Sequence, residues 1–430
     1  MLNSLSISSI KHELSFIDKI INTEMSFGEQ SLRKILSMTF LLNYKNVLEY
    51  LVRQDICTQK DAELSKTELK VAKNFNLLLN LQSGRKLLVK QERLMREGKT
   101  AGEFINEWRI QEFLQQFTEL NHIRSLLSQM LHFDENYSIL VFIYLDNYHD
   151  LTDFYTEKNG FPTAIATEIG ATLATIHRAT LNRQEYQNFF SDNPEGVPID
   201  QTPKFIRGLE RISPEIFGQV PADGLKFFAL YQRYDSLGKA IAELATTFEP
   251  CCLTHNDLKL NNILLHNDWE QVLSKAEQSS NSVIRLIDWE RGNWGDPAFD
   301  LGMLIASYLQ IWLGSLVVSK SIDVEESLRL AMTPLDQLQP SIAALTRAYL
   351  GNFPEILEHR PDFLRRVVQF SGFALIQQIQ AMLQYQKSFG NTGICMLQVA
   401  KTLLCRPEQS IPTVFGVAES ELTSLSRSLA

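Results

Sequence analysis

Two short polar stretches, in fixed order and each bracketed by apolar residues, constrain this 430-residue chain more than any other feature. The first, Leu253-Thr-His-Asn-Asp-Leu-Lys-Leu-Asn-Asn-Ile-Leu-Leu-His266, sets His255, Asp257 and Asn262 in the spacing H-x-D-x-x-x-x-N. The second, Ile284-Arg-Leu-Ile-Asp-Trp-Glu290, closes a short β-type run with Asp288, twenty-six residues after Asn262. Phosphoryl transfer from a nucleotide needs a carboxylate to receive the hydroxyl proton. It also needs hard oxygen ligands to hold magnesium against the phosphates. Asp257 suits the first task; Asn262 and Asp288 suit the second. Either stretch alone also fits a solvated loop or an ordinary buried strand, because short motifs match by chance. The two in order disfavour that reading.

Composition narrows the class further. A hydrophobic content of 44% and a charged content of 21% are those of an ordinary globular chain, long enough to divide its core between lobes. The net charge of -9 argues against a nucleic-acid surface. Five cysteines (Cys57, Cys251, Cys252, Cys395 and Cys405) lack metal-ligand spacing and are odd in number, which points to a reduced, cytoplasmic protein. Lys11, His12 and Glu13 interrupt any early apolar run, so no secretory signal is expected. Leu301 to Val318 carries no charge and is long enough to suggest a membrane span. It holds Ser307, Tyr308, Gln310 and Ser315, follows Asp300 directly, and has no basic cluster on one flank. A buried core helix is expected, and no membrane partner.

The first 161 residues contain no proline, and all 14 prolines follow from Pro162. A compact N-terminal region joined to a larger, loop-rich C-terminal one fits that shift. Helical spacing covers about Ile10 to Ile21, Gln30 to Phe40 and Val47–Val52, with Asn46 as a candidate N-cap. The pattern then becomes β: Leu69–Ala72, Phe75–Leu79 and Lys86–Lys90 read as three successive strands, with Gly84 turning the chain between the last two. Lys90 ends the third strand, and Glu107 follows on a helix that runs from Glu103 to Leu114. A strand lysine held by a helix glutamate positions nucleotide phosphates in kinases. Glu103 and Glu112 are competing partners for Lys90. Ser138–Tyr144 reads as a central strand, and Leu145, Asp146 and Asn147 as a linker whose backbone can bind an adenine edge. Ala164 to Arg178 is a helix with His177 in a capping or packing role, and Leu225 to Phe248 a second long helical stretch. Phe190 to Pro203 reads as a loop, and Asn267 to Ser282 as a polar hairpin tip, helical around Trp269 to Ala276. Asp296 and Asp300 open the apolar run, where they can cap its helix or accept N–H groups from the catalytic loop; metal ligation is the lesser alternative. Ser341–Leu350, Phe363–Gln386 and Met396–Leu404 read as a helical bundle.

With these residues in hand, the chain resembles the aminoglycoside phosphotransferase and choline kinase family, relatives of the protein kinases. The resemblance is carried by His255–Asn262, Ile287-Asp-Trp-Glu290 and Gly295-Asp-Pro-Ala-Phe-Asp-Leu-Gly302. The Lys90 and Glu107 pair and the helix Glu168–His177 add to it. It implies an α+β, bilobal protein-kinase-like fold with a small β-rich N-lobe, extra N-terminal helices and a larger helical C-lobe. The corresponding divisions are 1–62, 63–145 and 146–430. It further implies ATP and Mg2+ as cofactors and a small-molecule hydroxyl as acceptor, of amino-alcohol, aminoglycoside or sugar type. By position, Asp257 is the base, Asn262 and Asp288 the magnesium ligands, and Lys90, with Glu107, the nucleotide-binding pair. Two departures stand out. The turn Lys73-Asn-Phe-Asn76 has no glycine, and no substrate signature is visible before about residue 60 or after about 310. A kinase-like scaffold that binds nucleotide without transfer is the alternative, disfavoured by the full set of Asp257, Asn262, Asp288 and Lys90. A protein kinase is disfavoured because no Asp-Phe-Gly or Ala-Pro-Glu follows. Acidic residues such as Asp146, Asp150, Asp153, Asp223 and Glu290 are candidates to bind a cationic amine, or solvated surface charge.

Overall fold

The structure, a computed structural model, describes residues 40–63, 65–70, 73–94, 100–191, 222–275, 282–317 and 321–424. The helices expected at Ile10 to Ile21 and Gln30 to Phe40 lie outside the described residues, apart from Phe40, as does most of the loop expected at Phe190 to Pro203. Two compact units divide the chain, one of residues up to Ile105 with Gln129–Tyr144, the other of Asn106–Ser128 with Leu145 onward.

The first unit is built on an antiparallel five-stranded sheet of β1 (Lys66–Lys70), β2 (Phe75–Asn80), β3 (Lys86–Gln91), β4 (Met130–Asp134) and β5 (Ile139–Ile143), in the order β1-β2-β3-β5-β4. Alternate residues supply its two faces, as a strand's period of two requires. Leu77, Leu79, Leu87, Val89, Ile139 and Val141 form one apolar cluster with Val47 and Leu51 of helix α1 (Val47–Arg53). Leu140 and Phe142 face the other way and pack with Phe104, beside Leu88. β5 is covered on both faces, which is why its sequence is continuously apolar rather than alternating. β1 begins at Lys66, earlier than the expected Leu69, and residues 71 and 72 of the expected strand lie outside the described residues. As an edge strand with charged Lys66, Glu68 and Lys70 it carries no apolar signal to mark its bounds. Asn46 does not cap α1 through its side chain. Its Oδ1 instead accepts from the Asn43 N–H at 2.7 Å, and Asn43 Oδ1 accepts from the Lys45 N–H at 2.8 Å in the turn that precedes the helix.

Helix α2 (Glu103–Gln116) starts in the first unit and continues into the second. The second unit is mainly helical. Its longer helices are α3 (Leu151–Lys158), α4 (Thr163–Thr180), α5 (Ala222–Gln232), α6 (Asp235–Thr246), α7 (Pro297–Gly314), α8 (Leu335–Asn352), α9 (Phe363–Tyr385), α10 (Asn391–Cys405) and α11 (Pro407–Phe415). Short strands β6 (Tyr148–Asp150), β8 (Ile263–His266) and β9 (Ile284–Leu286) form one sheet, β7 (Cys252–Thr254) and β10 (Asn293–Gly295) another. The mixed α+β class is therefore as expected, with the sheet-based part first and the helical part after it. The apolar run behind Asp300 is α7, buried along nearly all its length. A helix apolar on every side belongs in a core. No helix among the described residues is long and apolar enough to cross a membrane. The stretch expected as one helix from Leu225 to Phe248 is broken into α5 and α6 at Arg233 and Tyr234. There Tyr234 is held from α10 by Gln398, which donates to its hydroxyl at 3.1 Å, and by Lys401 over its ring at 3.6 Å. The insert between β8 and β9 is helical over Trp269–Ser274, as expected.

α4 and α8 approach closely because Gly170 has no side chain: a Cβ there would lie 2.1 Å from the Leu345 carbonyl oxygen. Gly170→Ala therefore separates the sign of two effects. Helix propensity alone predicts a gain of about 1 kcal/mol, whereas overpacking against a backbone atom predicts a net loss of about 1–2 kcal/mol. Equilibrium urea unfolding is expected to show the loss; a stabilised variant would refute the close approach.

Candidate functional site

Asp257, Asn262 and Asp288 come together in the second unit through local backbone pairing. β7 ends at Thr254 and leads into the loop that carries Asp257; a single 3-10 turn, Leu260–Asn262, then enters β8. β8 pairs with β9 in the register Ile263↔Leu286. One residue further on, the Ile287 N–H donates to the Asn262 carbonyl at 3.0 Å. His255 Nε2 donates to the Ile287 carbonyl at 2.8 Å. Ile287, the residue before Asp288, is thus gripped on both sides by the loop that bears the other two site residues. His255 is fully buried and its ring lies 4.6 Å from that of Trp289, so it fastens the two stretches together.

Two site-bearing positions take left-handed backbone angles: Asn256, before Asp257, with φ 60° and Asp288 itself with φ 60°. For residues other than glycine this costs on the order of 1 kcal/mol and persists only where the surroundings enforce it. At Asn256 the enforcement is visible. Its Oδ1 accepts from Thr254 Oγ1 at 3.0 Å, and its Nδ2 donates to the Arg291 carbonyl at 3.1 Å. Gly295, on the partner strand, leaves room for this, since a Cβ there would fall 2.1 Å from Thr254 Oγ1.

Asn262 is 4% exposed, and its Nδ2 donates to the Asp257 carbonyl at 2.8 Å. That bond fixes the amide and leaves Oδ1, which accepts from Asn261 Nδ2 at 3.2 Å, with a second lone pair. By ligand type, an amide oxygen and a carboxylate suit a small hard cation such as magnesium. No group of three or more His, Cys, Asp or Glu suited to a metal occurs among the described residues. The Asp257 side chain is 13% exposed, with Lys259 Nζ at 2.8 Å and an Arg291 nitrogen at 3.6 Å from its Oδ1. Neither neighbour was singled out from the sequence, although Lys259 stands two residues from Asp257 and Arg291 three from Asp288.

Beneath the loop lies a buried polar network. Asp300, fully buried on α7, accepts the His255 N–H at 2.6 Å and the Asn256 N–H at 2.8 Å. His177 Nε2 lies 3.3 Å from the same carboxylate, and His177 Nδ1 lies 2.9 Å from the Tyr349 hydroxyl. Burial, then Cys252, Cys251 and the two aspartates push the Tyr349 phenol well above its ordinary value, so the hydroxyl keeps its proton. Burial likewise drives the Cys252 thiol well up, with Cys251 adding to it. Asp296 caps α7 by accepting the Ala298 N–H at 3.0 Å and pairs with Arg360 at 2.9 Å and Arg366 at 2.7 Å. Burial pulls the Arg360 guanidinium down, but Asp296, Cys251 and Glu249 outweigh it and hold the group above its ordinary value. Both aspartates thus serve the loop and the helix, the roles favoured over metal ligation. His177 packs as expected, and no spacing in the sequence announces its partners Asp300 and Tyr349.

Lys90 sits on β3 opposite Leu140, in the first unit, on the face that carries Leu88 and Phe142; its Nζ is 5.2 Å from the Phe142 ring centre. Glu107 is on α2 in the second unit and is buried. Of its competitors, Glu103 receives Lys73 Nζ at 2.6 Å, and Glu112 is exposed. Two acidic candidates for amine binding have structural work. Asp150 caps α3 through the Thr152 N–H at 2.7 Å, and burial raises its pKa despite that bond. Asp223 pairs with Lys226 at 2.7 Å.

The family model described as the phosphotransferase enzyme family, APH, matches residues 107–320. None of the curated proteins matches the chain. Among solved structures, it is similar to a choline/ethanolamine kinase family protein from Mesorhizobium loti, with 15% identity, 89% of this chain and 100% of that one covered, and a TM-score of 0.43. A putative fructosamine-3-kinase from Thermobifida fusca shows 14% identity, 82% and 98% coverage and a TM-score of 0.43. The streptomycin–ATP ternary complex of APH(2")-IIa shows 15% identity, 85% and 99% coverage and a TM-score of 0.46. Lys90 falls outside the family match, and Glu107 is its first residue.

If the buried Asp300 charge holds the loop, Asp300→Asn replaces an acceptor by a donor facing backbone N–H groups. A loss of about 3 kcal/mol is expected in denaturant unfolding. Asp323→Asn, at an exposed helix cap where asparagine serves equally, is expected to change stability by less than about 0.5 kcal/mol. Equal effects at the two sites would refute the role given to Asp300. The resemblance read from the sequence is matched by the phosphotransferase enzyme family over residues 107–320, the region that holds Asp257, Asn262 and Asp288.

Proposed function

We propose that this chain is an ATP-dependent phosphotransferase that phosphorylates a hydroxyl of a small molecule. The observation that carries the reading is the arrangement of three oxygen-bearing side chains. Asn262 and Asp288 stand at adjacent strand ends, and the Asp257 carbonyl on the loop accepts the Asn262 side-chain amide. The family match over residues 107–320 supports it.

In this reading Asp257 orients the acceptor hydroxyl and receives its proton as the oxygen–phosphorus bond forms and the bond to the nucleotide's leaving oxygen breaks. Asn262 and Asp288 hold magnesium, which supplies positive charge against the phosphate oxygens when bound. Lys259 and Arg291, already beside Asp257, lend further positive charge to the entering phosphoryl group. Lys90 is the proposed phosphate-binding lysine. Placement of pre-set charges in this way is the main source of rate in phosphoryl transfer. The acceptor is left at the level of a small-molecule hydroxyl, and the proposed setting is the cytoplasm.

Two substitutions separate the roles. Asp257→Asn keeps size and loses basicity. It is expected to leave nucleotide binding nearly intact and to cut turnover by on the order of 100-fold or more. Asp288→Asn removes an anionic ligand and is expected to weaken magnesium-dependent nucleotide binding as well as turnover. Calorimetry with and without a chelator reads the binding, and nucleotide consumption across amino-alcohols, aminoglycosides and sugars reads the rate. Full turnover by Asp257→Asn with a phosphorylated acceptor would contradict the base assignment. Binding of ATP unchanged by chelation would contradict the metal pair. Nucleotide binding with no acceptor phosphorylated would favour a scaffold.

A further inference from the structure

A cavity of about 390 Å³ opens among α7, α8, α10 and α11, within the second unit. It lies toward the end of α7 remote from the catalytic loop: Leu309 on its wall is nine residues beyond Asp300, about 13 Å along the helix. The volume is within the range of small-ligand pockets, about 300–1,000 Å³. Leu309, Trp312, Leu335, Val399, Leu403 and Val414 give it an apolar wall.

The polar groups of its lining narrow the ligand. Thr402 Oγ1 donates to the Gln398 carbonyl at 3.0 Å, and Ser410 Oγ to the Arg406 carbonyl at 2.8 Å. Gln398 Nε2 is committed to the Tyr234 hydroxyl at 3.1 Å. These three groups have their donors committed inside the protein, which leaves Gln409 and Thr413 as the neutral polar groups of the lining. Arg406 differs. It lines the cavity, is exposed, and has no ion-pair partner among the described residues.

We propose that this cavity binds an amphipathic monoanion, a single alkyl chain ending in a carboxylate, with the chain against Leu309, Trp312 and Leu403 and the carboxylate on Arg406. The site is separate from the phosphoryl-transfer loop, and the proposal stands whether or not the chain transfers phosphate. The apolar wall sets affinity by area, and the one uncompensated guanidinium sets the sign of the head group.

The test is calorimetric titration of the full chain with octanoate, decanoate, decanol and decyltrimethylammonium, all below micelle formation. Decanoate is expected to bind about tenfold more tightly than octanoate, from two added methylenes, and more tightly than decanol. Decyltrimethylammonium is expected to bind most weakly. Arg406→Gln is expected to weaken decanoate about fivefold while leaving decanol unchanged. Thr402→Phe, at the exposed rim, is expected to weaken both by filling the mouth. Absence of decanoate binding overturns the proposal. So does equal binding of the cationic and anionic chains, or binding indifferent to both substitutions.

Discussion

A carboxylate with no exposure to water, Asp300, governs the geometry of this protein's second unit. Burying a charge is unfavourable unless hydrogen bonds replace its hydration. Here the replacements are the backbone N–H groups of His255 and Asn256, with His177 behind. The consequence runs in both directions. The loop cannot leave without stranding the charge, and the charge is fixed because α7 is buried in the helical core. The stability of the apolar core is thereby transmitted to the residue that follows, Asp257. Asp296, four residues earlier on the same helix start, is balanced by Arg360 and Arg366, so the N-terminal turn of α7 is anchored twice.

The second constraint is the double grip on Ile287. A strand that ends at Leu286 leaves its next residues to whatever partners the loops supply. The Asn262 carbonyl and the His255 imidazole supply them, and Asp288 is delivered into a left-handed turn directly afterwards. Strain at Asn256 and Asp288 is tolerated because ladder bonds, side-chain bonds and ring packing around them are already made. The polar stretches of the sequence are thus one mechanical assembly, in which the buried histidine ties the two together and the Asp257 side chain stays partly exposed.

How much of this was legible in the sequence depends on how local the cause is. The H-x-D-x-x-x-x-N stretch and Asp288 stand out in the sequence because their placement is set within a few residues of one turn or strand end. β5 and α7 were legible because burial on all sides leaves an uninterrupted apolar run. β4 was not assigned, since Met130–Asp134 mixes polar and apolar residues without a clean period. The break between α5 and α6 was hidden because its cause is Gln398 and Lys401, more than 160 residues away in the chain. The same holds for His177 with Tyr349 and for Asp296 with Arg360 and Arg366: long-range partners leave no spacing to read. Asn46 stands at the N-cap position as expected, but its side chain turns back to accept the Asn43 N–H and makes no side-chain cap.

The central claim is that Asn262 and Asp288 form one metal-binding pair in front of Asp257. The most direct measurement is anomalous diffraction from crystals grown with Mn2+ and a non-hydrolysable ATP analogue. The account predicts a manganese peak within coordination distance of Asn262 Oδ1 and the Asp288 carboxylate. A metal that binds the nucleotide while contacting neither residue would contradict it.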